Sequence, residues 1–129
     1  MAQALKSIDA TTASTLMKGG ALMVDVREKG EYARARIPGS QNMPLSRLEE
    51  SELPLAAGQA VVFFCASGNR TTVHAGRLAS KAPSAEAYVL RGGLSAWREA
   101  GLPLETGPSR EDGERTRGRG LVACIFSRW

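Results

Sequence analysis

At 129 residues, 43% of them hydrophobic, the chain is long enough for one domain with one sizeable core. Its net charge of +4, from 17 basic and 13 acidic residues, is not gathered into a basic cluster, and only 5% of the residues are aromatic. This excludes the concentrated positive face that a nucleic-acid binder needs. No apolar run is long enough to span a bilayer, which argues against a membrane protein.

Met1 to Asp9 carries Lys6 but no apolar stretch after it, so no signal peptide is expected. Two cysteines, Cys65 and Cys124, are too few for a disulfide framework. A reducing, cytoplasmic setting is the expectation.

Apolar strand-like runs alternate with helical stretches, the pattern of an α/β fold with a mostly parallel sheet. Leu5–Ile8 reads as a short first strand. Asp9 or Thr11 can cap a helix running to about Met17, stopped by Gly19-Gly20. Ala21–Val26 then reads as a buried strand and Glu28–Ala35 as a short helix ending before Pro38-Gly39. A brief strand is expected at Asn42–Pro44, a helix from Leu45 to about Glu52, and a turn-rich link over Pro54–Gln59.

Ala60–Phe64 (AVVFF) is the strongest strand: continuous, β-branched and aromatic, suited to burial on both faces. A helix is expected from about Thr71 to Lys81, capped by Thr71 or Thr72, then a last strand at Ala87–Leu90. The last helix runs over Leu94–Ala100 and stops at Gly101, with Trp97 facing the core. The expected architecture is a doubly wound open parallel sheet of about five strands with helices on both faces. Gly107–Gly120 is rich in Gly, Arg, Glu and Ser without periodicity, and reads with Leu121–Trp129 as a disordered tail. The domain is therefore expected to occupy residues 1–106, and the tail 107–129.

Cys65 ends the best strand and is followed by Ala66-Ser67-Gly68-Asn69-Arg70 and a helix. Ligands bind at this end of the strands in open α/β sheets. A short strand-to-helix loop can turn its N–H groups inward as an anion nest, with Gly68 giving the backbone freedom and Arg70 a positive charge. Together these favour a thiolate at Cys65 over an inert buried thiol. His74, the one histidine, is placed on the following helix and is read as facing away from the loop. One histidine and two distant cysteines build no zinc site. Asp25 and Arg27 read as a structural ion pair or as helix-capping residues rather than as a pair that orients the cysteine loop, and Arg91-Gly92-Gly93 reads as a turn.

Cys65–Arg70 resembles the Cys-x-x-Gly-x-Arg active-site loop of the rhodanese homology domain, and the likeness covers most of Leu5–Glu105. Asp25-Val26-Arg27 with Glu31-Tyr32 is similar to that family's Asp-x-Arg and Glu-aromatic signature. Ile37-Pro38-Gly39-Ser40 with Asn42 and Pro44, then Leu90–Trp97 and Gly101-Leu102-Pro103, resemble its remaining motifs. The resemblance implies a sulfurtransferase in which Cys65 is catalytic and carries sulfur as a persulfide. Ala66, Ser67, Gly68, Asn69 and Arg70 would hold the anionic sulfur. Donors such as thiosulfate, and acceptors such as cyanide, a thiol or a protein cysteine, are implied as partners, with no metal or organic cofactor.

Two positions depart from the family pattern. Arg36 stands where a His often precedes Ile-Pro-Gly, and Ala66 stands where many thiosulfate-using members carry Arg. The second departure, together with the unusual tail, keeps open a rhodanese-like binding, regulatory or sulfur-relay module with little small-molecule turnover. Phosphatases that share the fold have an active-site loop one residue longer than the four residues between Cys65 and Arg70, which disfavours phosphatase activity here.

Overall fold

The computed structural model describes residues 5–82 and 86–107. Of the tail expected over 107–129, residues 108–129, with Cys124, lie outside the described residues. Strands β1 (Lys6–Ile8), β2 (Leu22–Asp25), β4 (Gln41–Asn42), β5 (Val61–Phe64) and β6 (Ala87–Leu90) form one sheet in the order β1-β6-β5-β2-β4. Every pairing in it is parallel. β5 is central, and all four of its residues are buried, which is why its sequence is continuously apolar rather than alternating.

Side chains alternate across the sheet and divide the core in two. Val24, Val26, Val61 and Phe63 pack with Leu48 and Leu78, under a 3₁₀ helix (Leu45–Glu50) and α4 (Ala75–Ser80). Met23, Val62, Phe64 and Leu90 pack on the other face with Ala13, Leu94 and Trp97 of α1 (Ala10–Lys18) and α5 (Gly93–Glu99). Helices thus cover both faces, as the alternating pattern predicts. Asp9 caps α1, its carboxylate accepting from Thr12 N–H at 2.8 Å. Glu28 and Glu31 form a reciprocal capping box that starts α2 (Lys29–Arg34).

Several local expectations give way to the tertiary structure. The helix expected from Thr71 begins earlier and divides into α3 (Asn69–Val73) and α4, with His74 at the break. Thr71, Thr72 and Val73 are consecutive β-branched residues, poor at propagating a helix. Neither threonine is a cap. Gly68 holds that position, and both hydroxyls donate back to the Gly68 carbonyl at 3.0 and 2.8 Å. The segment at Leu45 forms 3₁₀ turns, with Arg47 outside helical geometry, rather than a regular helix. The brief strand expected at 42–44 lies at Gln41–Asn42.

Among the described residues a seventh strand follows α5: β7 (Glu105–Thr106) pairs antiparallel with β3 (Ala35–Arg36). Arg36 makes this attachment. Its Nε donates to Glu105 Oε1 at 3.1 Å, and its Nη1 donates to the carbonyls of Ala33 and Gly107 at 3.0 and 3.2 Å. The guanidinium also lies 5.7 Å above the Tyr32 ring, a cation–π distance. Arg36, one of the two residues that depart from the family pattern, thus anchors the return of the chain.

Candidate active site

The carboxyl ends of β2, β5 and β6 deliver the site residues together, because a parallel sheet places all those ends on one side. Cys65 leaves β5 fully buried. Gly68 takes φ +97°, a left-handed conformation that brings its N–H to 3.0 Å from Cys65 Sγ. A side chain on Gly68 would also crowd Gly92 N at 3.3 Å. Burial pushes the Cys65 thiol up, but the N–H groups of Thr71, Ser67, Gly68 and Arg70 face the sulfur and bring it below the ordinary thiol value. Thr71 Oγ1 lies 3.9 Å from Sγ while donating to Gly68 O.

The cradle is therefore built from backbone, and something must hold its carbonyls outward. The Gly92-Gly93 turn does this. Leu94 N–H donates to Cys65 O at 2.8 Å, and Ser95 N–H donates to Ala66 O at 3.0 Å. Gly93 sits at φ +58°, and a Cβ there would fall 2.3 Å from Cys65 O, so only glycine permits the approach. The sequence reading missed this buttress; its signal was the glycine pair opening a helix directly after a strand.

The expected loop residues occupy distinct places. Ala66 contributes its carbonyl to the buttress, and Ser67 is exposed at the rim. Asn69 is exposed as the first residue of α3. Arg70 does not bond the sulfur with its side chain. Its two terminal nitrogens donate to Glu31 Oε2 and Oε1 at 2.9 and 3.0 Å, the fork geometry of a bidentate pair. Its charge still acts on Cys65 through space. Glu31, held by the Arg70 hydrogen bonds above all, has its carboxyl lowered to about 2.

Asp25 and Arg27 form a buried ion pair, with Arg27 Nη2 to Asp25 Oδ2 at 2.7 Å; Arg27 Nη2 also donates to Ala35 O. Asn42 Nδ2 donates to the carbonyls of Asp25 and Arg27 at 3.0 and 2.9 Å, fixing the end of β2. His74 stands at the α3–α4 junction with Nδ1 3.0 Å from Arg77 Nη1. Arg91 Nε approaches Ser7 Oγ at 3.4 Å, on the turn leading to α5. Trp97 is buried and donates its indole N–H to Pro103 O at 2.7 Å.

A buried cysteine in a ring of N–H donors, flanked by two ion pairs, is suited to stabilising one negative charge on sulfur. The chain as a whole is similar to known proteins. The chain is 31% identical over 107 residues to the thiosulfate sulfurtransferase GlpE of Ectopseudomonas mendocina, covering 83% of this chain and 96% of that one. It is 42% identical over 82 residues to the protein slr1261 of Synechocystis sp., covering 64% of this chain and 45% of that protein. The chain spans about half the length of some curated relatives that it matches, slr1261 among them.

Among solved structures, the rhodanese-related protein of Thermoplasma volcanium superposes with a TM-score of 0.67 at 29% identity, covering 78% of this chain and 97% of that one. The thiosulfate sulfurtransferase of Pseudomonas aeruginosa gives 0.70 at 27% identity, covering 82% of this chain and 21% of that one. The family model of the rhodanese-like domain matches residues 9–100, and the chain belongs to that family.

Proposed function

We propose that the protein is a sulfurtransferase that moves a sulfane sulfur from a donor such as thiosulfate to a thiophilic acceptor through a persulfide on Cys65. The observation that carries this reading is the N–H ring around Sγ, led by Gly68 N–H at 3.0 Å. It stabilises the thiolate that attacks, and afterwards the anionic persulfide that results. Relatives named thiosulfate sulfurtransferase, at 31% and 32% identity, support the same reaction class.

The reaction is a double displacement. Cys65 thiolate attacks the outer sulfur of thiosulfate; a new S–S bond forms, the donor S–S bond breaks, and sulfite leaves with the electron pair. A cyanide ion, a thiolate or a protein cysteine then takes the outer sulfur and returns Cys65 as thiolate. Each step is a two-electron displacement at sulfur and calls for no metal or organic cofactor. The chemistry requires a reduced thiol, so a reducing compartment, the cytoplasm, is the proposed setting. We assign the reaction to residues 1–106, with Gly107 added because its N–H donates to Arg34 O and its carbonyl accepts from Arg36.

Complete burial of Cys65 and the uncharged Ala66 beside it favour a second reading, a binding or sulfur-relay module with little small-molecule turnover. Intact-mass spectrometry after incubation with thiosulfate separates a sulfur carrier from a module that only binds. A gain of one sulfur atom, lost on adding cyanide and absent from Cys65→Ser, is the expected result. No gain with any sulfane donor would overturn the sulfurtransferase reading in favour of the module.

A further inference from the structure

The charges that adjoin Cys65 come in two pairs. Asp25–Arg27 is buried, with side-chain exposures of 0% and 6%, whereas Glu31–Arg70 faces solvent at 30% and 36%. Arg70 feels both the Cys65 sulfur and Asp25, and Glu31 feels Arg27, so the four groups act as one electrostatic unit beside the thiol. Its formal charges cancel. What remains to attract an anion is the ring of backbone dipoles, a cradle suited to a single negative charge.

Glu31 is held firmly in this arrangement. Its Oε2 also accepts the Glu28 N–H at 3.1 Å, and Glu28 in turn accepts from Ser46 Oγ at 2.8 Å. The carboxylate is thus fixed at the first turn of α2, where it engages the only cation of the cysteine loop.

We propose that Glu31 sets the charge class of donor that the site accepts: by neutralising Arg70 it favours a singly charged sulfur donor over a doubly charged one. This rests on the sulfurtransferase reading and names the substrate property its site selects. The comparison is between thiosulfate, a dianion that releases sulfite, and an aryl thiosulfonate, a monoanion. With the second donor, Cys65 thiolate takes the outer sulfur, the donor S–S bond breaks, and an aryl sulfinate leaves with the electron pair. The transferred sulfur is the same and the donors differ by one charge.

Glu31→Gln is the informative variant. Glutamine also serves at this capping-box position, so the start of α2 is retained. The ratio of kcat/KM for thiosulfate to that for the thiosulfonate should rise about threefold to tenfold in Glu31→Gln, and less at high salt. Glu31→Asp, which keeps the charge, should stay near the wild-type ratio. The same charge effect is readable without sulfur transfer, as the ratio of Cys65 alkylation rates by iodoacetate and by neutral iodoacetamide, which should rise in Glu31→Gln. An unchanged alkylation ratio, or equal loss of kcat/KM with both donors, would overturn the inference and leave Glu31 a purely structural anchor. A raised alkylation ratio with no sulfur taken from either donor would support the charge role of Glu31 while refuting the sulfurtransferase reading.

Discussion

Replacing Gly93 by alanine puts a methyl group into the wall that supports the cysteine loop. Its Cβ would lie 2.3 Å from Cys65 O, 2.8 Å from Ala66 C and 2.9 Å from Ala66 O, all of them backbone atoms that no rotamer change can move aside. The turn must retreat, and retreat lengthens the bonds from Leu94 N–H to Cys65 O and from Ser95 N–H to Ala66 O. Overpacking of this kind costs about 1–3 kcal/mol, and each hydrogen bond contributes about 1 kcal/mol net. The left-handed backbone adds about 1 kcal/mol for a residue with a Cβ. The overlapping costs give about 3–5 kcal/mol, a large share of the roughly 5–15 kcal/mol that holds a small domain.

Urea denaturation reads the stability loss, and the pH dependence of Cys65 alkylation reads the thiol. In Gly93→Ala the alkylation midpoint should move up toward that of an ordinary thiol, because the loop carbonyls are no longer held outward. Gly76→Ala is the control. It lies in α4 with open space at its Cβ, and should be neutral or stabilising by up to about 1 kcal/mol. Wild-type stability with an unmoved alkylation midpoint in Gly93→Ala would refute the buttress argument.

Arg27→Ala should be severely destabilising, by about 3–5 kcal/mol in urea denaturation, because it removes the guanidinium and leaves the fully buried Asp25 carboxylate with the residue-27 backbone N–H, at 2.9 Å from Oδ1, as its remaining donor from that residue. A loss below about 1 kcal/mol would mean that Asp25 finds water or another donor. The Glu31–Arg70 pair should show itself in acid. Glu31 is lowered from 4.5 to about 2 in the folded protein, so its contribution is complete above pH 4.5 and lost as pH falls toward 2. The stability difference between wild type and Glu31→Gln should shrink across that window; a constant difference would show that the carboxylate's charge is not what stabilises the pair.

The sequence by itself determined the α/β class, the central strand and the position of Cys65. These features are written in local physics: a short continuous run of β-branched and aromatic residues is suited to a strand buried on both faces, and glycine with arginine after it marks a tight turn into a helix. The motifs around Asp25, Ile37 and Leu90 were legible in another way, through their resemblance to the rhodanese family. Tertiary structure decided the rest. That Arg70 turns to Glu31 rather than to the sulfur depends on α2 lying beside the loop, 39 positions away in the chain. The division at His74 and the two-residue strand β7 are too short to leave a periodic signal. Likewise the buttress from Gly93 requires β6 to pair with β5, and only that pairing shows that the glycine serves the cysteine. Local patterning fixes what each segment becomes, whereas the charge balance and backbone support of the thiol arise from segments that meet only when the sheet is assembled.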